Sequence, residues 1–478
     1  MRNPLLELAD STLKLPDNAR VGVIGGGPAG SFFSYFLLEM TQQMGIDATV
    51  DIYEPRDYSK VGAAGCNMCG GIISESLVQQ LAADGINLPN TVVERGIDSY
   101  VLHMKEGTTR ITTPLNEKRI AAVHRGAGPR GMKESRWRSF DGHLLALAEK
   151  QGAKVTRARV ENIAWHEGRP LVVVGGQPSE AYDLIAVATG VNSPFLRSLE
   201  KTHTAYRPPR TTRTYICEYL LGEAVVDECL GNAMHVFLLD IPRLEFAALI
   251  PKGDYVTLCL LGTNIDNELI RSLVDSDVVR NCLPKGWTPP PDHCHCGPQI
   301  NIGRAENMFG DRIVFLGDAG VTRLYKDGIG AAYRTAKAAA RTAVFKGVSG
   351  EDFRRGCGPV FDGIETDNSI GKLIFGVTRI QQHNVPSRRG ILRMVSREQM
   401  SPDSPRRMST IMWDMFTGSA SYRNILFRGM HPSFLWGLVW HFIAANVVRS
   451  KHPMEAPPAP VAPPAATTVE HTDALSLL

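Results

Sequence analysis

Two glycine-rich turns carry the residues with the clearest chemical potential, and the first reads GGGPAG between a short apolar run and a segment of helical periodicity. In this spacing Gly25 permits a sharp turn off a strand, Gly27 lets the backbone approach a pyrophosphate, and Gly30 lets the next helix pack closely. A second strand ends at Glu54, whose carboxylate can accept a hydrogen bond from a ribose hydroxyl. The pattern predicts a dinucleotide-binding βαβ unit with the helix N-terminus at the phosphates. The predicted contacts are Gly25, Gly27, Pro28, Ala29, Gly30 and Glu54.

The second turn lies far downstream, where RIVFLG predicts a buried strand that delivers Gly317 and Asp318 to a bend. Asp318 can face the ribityl hydroxyls of a flavin, and the helix that opens at Gly328-Ile329-Gly330 can face its pyrimidine end. A simple NAD dehydrogenase has no need of this second segment. The two turns together predict FAD as the cofactor, with Val160 and Gly190 as further contacts.

The elements that must position these turns alternate between strand and helix and then become strand-rich. They predict an α/β protein with a Rossmann-like FAD-binding domain, an interleaved antiparallel β substrate domain and a helical C-terminal region. The predicted units are an N-terminal extension at 1–19, the FAD-binding domain at 20–200 and 300–345, the substrate domain at 201–299 with strands near 91–125, the helical region at 346–430, an amphipathic membrane-surface helix at 431–450 and a disordered tail at 451–478.

Composition narrows the class of protein further. The chain has 478 residues with 52 basic and 49 acidic side chains, so it lacks the basic excess of a nucleic-acid binder. A hydrophobic content of 43% is enough for a large core. The N-terminus shows no secretory signal, and nine cysteines without one favour a reducing, cytoplasmic location. No apolar stretch reaches the length of about 20 residues that spans a bilayer.

The order of these motifs resembles the FAD-dependent reductases and hydroxylases of the p-hydroxybenzoate hydroxylase type, and among them it is most similar to geranylgeranyl reductases. CGGIISESLV at 69–78 is similar to their Cys-Gly-Gly turn, and FAALIP at 246–251 is similar to the strand that lines their lipid-binding cavity. The resemblance covers roughly residues 20–345. It implies an apolar, isoprenoid-type substrate that contacts Phe246 and Pro251.

Two parts of the sequence depart from the pattern of that family. Ala248 and Ile250 stand where the family has Trp and Phe. The family also has an arginine that faces the pyrophosphate, and Trp137 occupies its position here. The flanking Arg136 and Arg138 are therefore both candidates for that role.

Two further departures concern the flavin turns. Lys326 replaces the first glycine of the segment that follows the Gly-Asp turn in the family. Ala188-Thr189-Gly190 replaces the Asp-Gly turn with which the hydroxylases use NADPH. The loss of that aspartate favours a ferredoxin or a quinol over NAD(P)H as the electron donor.

Two cysteine motifs could carry redox chemistry. By resemblance, Cys66 and Cys69 lie in the turn that reaches the flavin ring, where they could form a redox-active disulfide. Alternatively, Cys69 could help to deliver a proton beside a reacting alkene, or both thiols could serve tight packing only. Cys294 and Cys296 could complete a four-thiolate zinc or iron–sulfur centre with them, but C-x-C is an unusual zinc spacing, and a loop over the substrate cavity is favoured.

The segment 434–448 is mostly apolar and too short to span a bilayer. Trp436 and Trp440 lie one helical turn apart, and Arg449 and Lys451 follow. Tryptophans with flanking cations favour a helix at the membrane surface, on the inner face of the membrane, over one buried against the protein.

The sequence thus predicts an FAD-dependent reductase that passes a hydride to a C=C bond of an apolar substrate taken from the membrane. Three alternatives remain open at this stage. One is a membrane-associated flavoprotein dehydrogenase that passes electrons to quinone. The others are a flavin-dependent monooxygenase and a non-catalytic flavin-binding membrane adaptor.

Overall fold

The structure is a computed structural model that describes residues 13–66, 68–113, 118–132, 136–201, 205–401 and 405–447. The predicted tail at 451–478 lies outside the described residues. The strands are β1 (Ala19–Ile24), β2 (Ala48–Tyr53), β3 (Ile72–Ile73), β4 (Arg95–Ile97), β5 (Ser99–Met104), β6 (Gly107–Thr112), β7 (Ile120–Ala122), β8 (Lys154–Thr156), β9 (Asn162–His166), β10 (Arg169–Val174), β11 (Gln177–Pro178), β12 (Leu184–Val187), β13 (Thr211–Arg213), β14 (Tyr215–Leu220), β15 (Ala233–Phe237), β16 (Leu244–Lys252), β17 (Tyr255–Gly262), β18 (Cys294–Cys296), β19 (Gln299–Asn301), β20 (Phe309–Gly310) and β21 (Ile313–Phe315).

The helices cover the crossovers of the first half and most of the C-terminal region. They are α1 (Pro28–Met44), α2 (Glu75–Ala83), α3 (Phe140–Lys150), α4 (Pro194–Lys201), α5 (Glu223–Cys229), α6 (Asn267–Val274), α7 (Asp277–Arg280), α8 (Gly328–Phe345), α9 (Gly350–Gly356), α10 (Gly358–His383), α11 (Val385–Met400), α12 (Arg407–Thr417), α13 (Tyr422–Gly429) and α14 (Pro432–Val447).

A six-stranded sheet of order β20-β21-β12-β1-β2-β8 forms the first layer and carries both predicted glycine turns. Strand β1 pairs in parallel with both β12 and β2, and β12 pairs in parallel with β21. The buried residues Val21, Val23 and Ile24 give β1 the continuous apolar character of a central parallel strand. Helices α1 and α8 pack on one another over this sheet. Because β1, β12 and β21 run parallel, the carboxyl ends of β1 and β21 lie at the same edge of the sheet.

A seven-stranded sheet of order β18-β14-β17-β16-β15-β5-β6 forms the second layer. Because successive side chains of a strand point to opposite faces, Phe246, Ala248 and Ile250 of β16 share one core with helices α11 and α12. Ala247 and Leu249 join the core on the other face, beneath α5 to α7. The two faces of this sheet therefore belong to two different cores.

The predicted fold class is confirmed, with a parallel Rossmann-type sheet, an interleaved sheet built mainly of antiparallel pairs and a helical C-terminal region. The interleaving is visible in the chain order, because β5 and β6 join the seven-stranded sheet before β8, β12, β20 and β21 complete the first one. Among the described helices, none has both the length and the apolar character to cross a bilayer.

Candidate functional site

The GGGPAG turn folds as a tight connection in which two glycines have no room for a side chain. Gly25 has φ = +107°, and a Cβ atom on it would lie 2.5 Å from the Ala188 carbonyl oxygen. A Cβ atom on Gly30 would lie 1.9 Å from the Gly25 carbonyl oxygen. Gly27 is the N-cap of α1, and no side chain caps the helix there. The first N–H groups of α1 thus remain available to an anion.

Glu54 holds this turn in place from the end of β2. Its carboxylate accepts hydrogen bonds from the backbone N–H groups of Gly26 and Arg56, each at 2.8 Å, and from the Tyr58 hydroxyl at 2.9 Å. The side chain is buried at the edge of a cavity. Oε2 accepts two of these bonds and Oε1 accepts one, so Oε1 can still receive a ligand hydroxyl while the group shapes the turn.

The second turn meets the first one directly. A Cβ atom on Gly317, which has φ = +56°, would lie 2.9 Å from the Ala29 side chain. Asp318 follows and lines the cavity, and its backbone carbonyl accepts a hydrogen bond of 2.9 Å from the Asn301 amide. Burial raises the pKa of the Asp318 carboxyl, while Thr322 and Arg125 oppose that rise. The structure therefore brings both predicted turns to one site.

The cavity has a volume of about 320 Å³ and joins a polar end to an apolar chamber. The predicted site residues that line it are Gly25, Gly27, Pro28, Ala29, Glu54, Cys69, Gly190, Phe246, Asp318, Gly328 and Ile329. Gly30, Gly317 and Gly330 lie in the turns beside it. The chamber is closed by apolar side chains of the seven-stranded sheet and of α12, with these members: Ile216, Met234, Val236, Phe246, Ala248, Ile250, Leu261 and Phe416.

Besides those three glycines, five predicted site residues do not line the cavity. The Arg136 side chain is 56% exposed and forms ion pairs with Glu223 and Asp254 on the surface. Arg138 is also exposed, since the segment before α3 runs along the surface. Val160 is buried in the core of the six-stranded sheet. Pro251 falls on the face of β16 opposite the cavity. Cys66 is partly buried and is not among the residues that line the cavity.

Arg125 lines the cavity, as do Arg56 and Arg323, and none of the three was predicted from the sequence. The Arg125 guanidinium forms a two-point ion pair with Asp141, with N–O distances of 2.7 and 2.8 Å. Asp141 lies in the first turn of α3 and is fully buried. The sequence signal that could have predicted Arg125 is its place directly before a glycine-rich loop, with an aspartate 16 residues later.

The Arg125–Asp141 pair gives a testable stability prediction. Replacing Arg125 by methionine removes the two-point ion pair of the buried Asp141 carboxylate, so we expect a loss of about 3–5 kcal/mol in the free energy of unfolding. The double variant R125M/D141L removes both charges and is expected to regain most of that loss. Chemical denaturation of both variants measures this, and equal destabilisation of single and double variants would contradict the pairing.

The Cys66–Cys69 turn rests on a buried charged network. A Cβ atom on Gly71 would lie 2.9 Å from the Lys252 ammonium nitrogen, and that nitrogen is 3.6 Å from a Glu218 carboxylate oxygen. Lys252 is 1% exposed. Burial by itself lowers its pKa, but Glu218 and Glu94 raise it above the ordinary value. The residue therefore holds a positive charge directly beneath the turn.

Glu94 belongs to the same network and responds to pH. Burial raises its pKa to about 8, against the opposing effect of Lys252. Its carboxylate accepts a hydrogen bond of 2.6 Å from the His124 backbone N–H group, and its second oxygen lies 3.3 Å from His124 Nε2. Burial lowers the pKa of His124 well below its usual range. A proton can thus be stored within the network at neutral pH.

We expect this network to give the folded protein a pH-dependent stability. Between about pH 5 and pH 8 the unfolded chain ionises Glu94 while the folded protein keeps it protonated, so Glu94 lowers the free energy of unfolding as pH rises. E94Q removes this contribution, and its stability relative to the wild type should increase by about 1–2 kcal/mol from pH 5.5 to pH 8. Urea unfolding at both pH values measures the change. E94D keeps a titratable carboxyl group and should follow the wild type instead of E94Q.

All nine cysteines are free thiols in the structure. Burial raises the pKa of the Cys66 thiol, and it raises the pKa of the Cys296 thiol to about 12. In both cases neighbouring thiols contribute to the rise. Cys66, Cys69, Cys294 and Cys296 therefore gather in one region. Among the described residues, the sulfur atoms of these four cysteines do not include three that lie within 4.8 Å of one another, the spacing expected of metal ligands.

Lys326 is a buried amine in the wall of the apolar chamber. Its ammonium nitrogen lies 4.9 Å from the centre of the Phe246 ring and 4.8 Å from that of Phe416, and it donates a hydrogen bond to the Met415 carbonyl oxygen. Burial, together with Arg323, lowers its pKa well below the usual range. The next residue, Asp327, is the N-cap of α8 and accepts a hydrogen bond of 2.8 Å from Ser74, the N-cap of α2. The chamber is thus apolar with one amine in its wall.

The fold and this arrangement of turns define a class of α/β proteins with a Rossmann-type dinucleotide layer and a β-rich second layer. No protein-family model matches the chain, and no curated protein matches its sequence. Solved structures do match its fold.

One such structure is halogenase PltM in complex with phloroglucinol and FAD, with a TM-score of 0.56, 13% identity, and coverage of 90% of this chain and 93% of that chain. Another is a flavoprotein/dehydrogenase from Cytophaga hutchinsonii, with a TM-score of 0.54, 14% identity and coverage of 90% and 99%. A third is a mutant of 2-methyl-3-hydroxypyridine-5-carboxylic acid oxygenase, with a TM-score of 0.51 and 16% identity. The match covers 77% of this chain and 94% of that chain. The fold is therefore shared with flavoproteins of several activities, and the geranylgeranyl reductase assignment stays a prediction.

Proposed function

We propose that the protein is an FAD-dependent oxidoreductase that acts on an apolar substrate. The observation that carries this proposal is the single cavity, which has an uncapped helix N-terminus and two glycine turns at one end and an apolar chamber at the other. A dinucleotide needs the first end and an apolar substrate needs the second. The flavoproteins of similar fold support the choice of FAD.

The residues at the polar end fit FAD in the following way. The backbone from Gly25 to Ala29 and the N-terminus of α1 would receive the pyrophosphate, because no side chain caps that helix and its first N–H groups are available. Glu54 would accept a ribose hydroxyl, and Asp318 would face the ribityl chain. Arg125 would supply the positive charge that Arg136 and Arg138 are too distant to supply. A bound flavin supplies hydride transfer.

We further propose that the substrate carries a C=C bond in an apolar, isoprenoid-type chain. The chamber wall offers methyl and aromatic groups, and Ala248 leaves room where the resembling family has tryptophan. Cys69 lies at the cavity above Lys252 and Glu94, so the turn can deliver a proton to the substrate from this network. The other walls exclude water from the reacting bond.

The test is reoxidation of the reduced protein. The purified protein, loaded with FAD, is reduced anaerobically with dithionite and then offered an isoprenoid lipid, a quinone or oxygen, while flavin absorbance is followed and products are analysed. We expect rapid reoxidation by the isoprenoid with formation of the saturated product. Reoxidation by quinone alone would overturn the substrate assignment in favour of a quinone-linked dehydrogenase. Oxygen-dependent hydroxylation or halogenation of an added aromatic would overturn it in favour of those reactions.

The electron donor is tested in the same assay. We propose a ferredoxin or a quinol, because Ala188-Thr189-Gly190 lines the cavity where an aspartate-containing turn would favour NADPH. Reduced ferredoxin or quinol should bleach the flavin, and NADPH should not. Rapid bleaching by NADPH alone would contradict this assignment.

We also propose that α14 attaches the protein to the inner face of the membrane. Trp436 is 75% exposed and Trp440 is 59% exposed, and Val439, Ile443 and Val447 continue this apolar surface along the helix. Amphipathic tryptophans on an exposed apolar face are typical of helices at the interface of a bilayer. This surface would let the enzyme take its substrate directly from the bilayer.

Substitution of the two tryptophans tests the attachment. We expect the wild-type protein to float with vesicles that contain anionic lipid and W436S/W440S to lose at least tenfold in vesicle binding, because about 1–2 kcal/mol of interfacial burial is removed with each ring. W165S removes an exposed tryptophan from β9 and should float like the wild type. Equal flotation of W436S/W440S and the wild type would exclude α14 as the attachment.

A further inference from the structure

Three potential metal ligands meet inside the seven-stranded sheet, on the face away from the cavity. Strands β5 and β15 are parallel neighbours in which His103 pairs with Phe237 and Val101 pairs with His235. His103 and His235 therefore point to the same face, one register step apart. Val236, the residue after His235, points the opposite way and lines the cavity. The third residue, Cys282, follows α7, which packs over this face.

The ligand atoms converge on one point. His103 Nε2 lies 3.0 Å from His235 Nδ1, and Cys282 Sγ lies 3.4 Å from His235 Nδ1 and 3.7 Å from His103 Nε2. With metal–nitrogen bonds of about 2.05 Å and a metal–sulfur bond of about 2.3 Å, these separations correspond to ligand–metal–ligand angles of roughly 95–115°. Tetrahedral coordination needs angles near 109°, so the three atoms already stand at three corners of a zinc site.

We propose that His103, His235 and Cys282 bind a zinc-class divalent ion that fastens α7 to the substrate-domain sheet. This function lies outside the proposed flavin chemistry and does not depend on it. Nitrogen with thiolate sulfur is the donor set that zinc prefers over calcium or magnesium. Binding forms the metal–sulfur bond and releases the Cys282 thiol proton to solvent.

The surroundings of the three residues suit such an ion. All three are buried, and the His103 ring stacks on Phe237 with 4.7 Å between ring centres, which fixes its orientation. The three residues would supply three protein ligands and leave the fourth position of a tetrahedral site open.

The facing atoms, and not the outer ring nitrogens, are the observation that points to an ion. His103 Nε2 and His235 Nδ1 face one another at 3.0 Å, and the Cys282 thiol beside them lies 3.3 Å from the Val278 carbonyl oxygen. An ion would bind the lone pairs of both facing nitrogens, and the N–H groups would then lie on His103 Nδ1 and His235 Nε2, which are buried without a partner in the described structure. The convergence of two imidazole nitrogens and a thiol sulfur is therefore what indicates a ligand.

The test uses the full-length protein, first stripped with a chelator and then titrated with Zn²⁺ and with Co²⁺ as a spectroscopic probe. We expect one equivalent of Zn²⁺ per chain, a rise in the melting temperature on binding, and for Co²⁺ the intense visible absorption of a tetrahedral site with a thiolate charge-transfer band. C282S should lose the charge-transfer band and at least tenfold in affinity, as should H235Q.

Two controls separate this site from the other thiols. C66S/C69S removes the cysteines beside the cavity, and C217S removes a buried cysteine of the same sheet, and both should keep the cobalt spectrum. The proposal is overturned if the wild-type protein takes up no stoichiometric ion, or if the spectrum disappears in C66S/C69S and persists in C282S. The wild-type titration decides the matter even if a variant fails to fold.

Discussion

Replacing Gly30 by alanine is expected to abolish FAD binding, with an affinity loss of more than 1,000-fold. The new Cβ atom would lie 1.9 Å from the Gly25 carbonyl oxygen, and that atom belongs to the backbone of the very turn that would receive the pyrophosphate. Because the neighbour is backbone, the strain can be relieved only if the turn moves away from α1, which removes the N–H groups from their positions. A loss of 1,000-fold corresponds to about 4 kcal/mol.

Equilibrium titration of the apoprotein with FAD, followed by flavin fluorescence, measures this effect. The matched control is G376A in α10, where an added Cβ atom meets nothing within 4 Å. That change should stabilise the helix by about 0.5–1 kcal/mol and leave FAD binding as it is. A G30A protein that is as yellow as the control would show that the turn does not receive the cofactor.

The second large effect is expected at Ala248, in the wall of the chamber. A248W should retain FAD and lose more than 100-fold in kcat/KM for the apolar substrate, because the indole would fill the space that Ala248 now leaves. Ala248 lies between Phe246 and Ile250 on the cavity face of β16, so the new ring must enter the chamber and cannot turn to solvent. Overfilling the wall also costs about 1–3 kcal/mol of stability.

Steady-state turnover and flavin content of A248W are measured together, because turnover is expected to fall while flavin content stays unchanged. L220W places the same ring at the exposed end of β14, where Leu220 is 59% exposed, and should change neither quantity. Loss of flavin in A248W would mean that the polar end, and not the chamber, had been disturbed. Unchanged turnover with intact flavin would show that the substrate binds elsewhere.

The two glycine turns could be predicted from the sequence because their requirements are local. A turn between a parallel strand and a helix needs glycine wherever backbone approaches backbone, and the structure shows such contacts at Gly25 and Gly30. The fold class follows from the same pattern, since a strand–helix–strand unit with short connections leads to a parallel sheet.

The rest of the site depends on contacts between distant parts of the chain. Arg125 reaches the cavity because Asp141, at the start of α3, holds its guanidinium, while Arg136 is drawn to acidic residues on the surface. Pro251 was predicted from a motif, yet the period of two in β16 turns it away from the cavity that Phe246 faces. The His103–His235–Cys282 cluster combines residues from three separate elements, and no spacing along the chain reveals it.

The interleaved order of the two sheets has a consequence for folding during synthesis on the ribosome. Strand β1 is made first, but its neighbour β12 ends at residue 187 and the outer partner β21 only at residue 315. Until then the growing chain presents apolar strands with open hydrogen-bonding edges, which favour association with other chains. The nascent polypeptide should therefore depend on chaperones for most of its synthesis, and a cofactor that needs both glycine turns could bind only after residue 318 has been made.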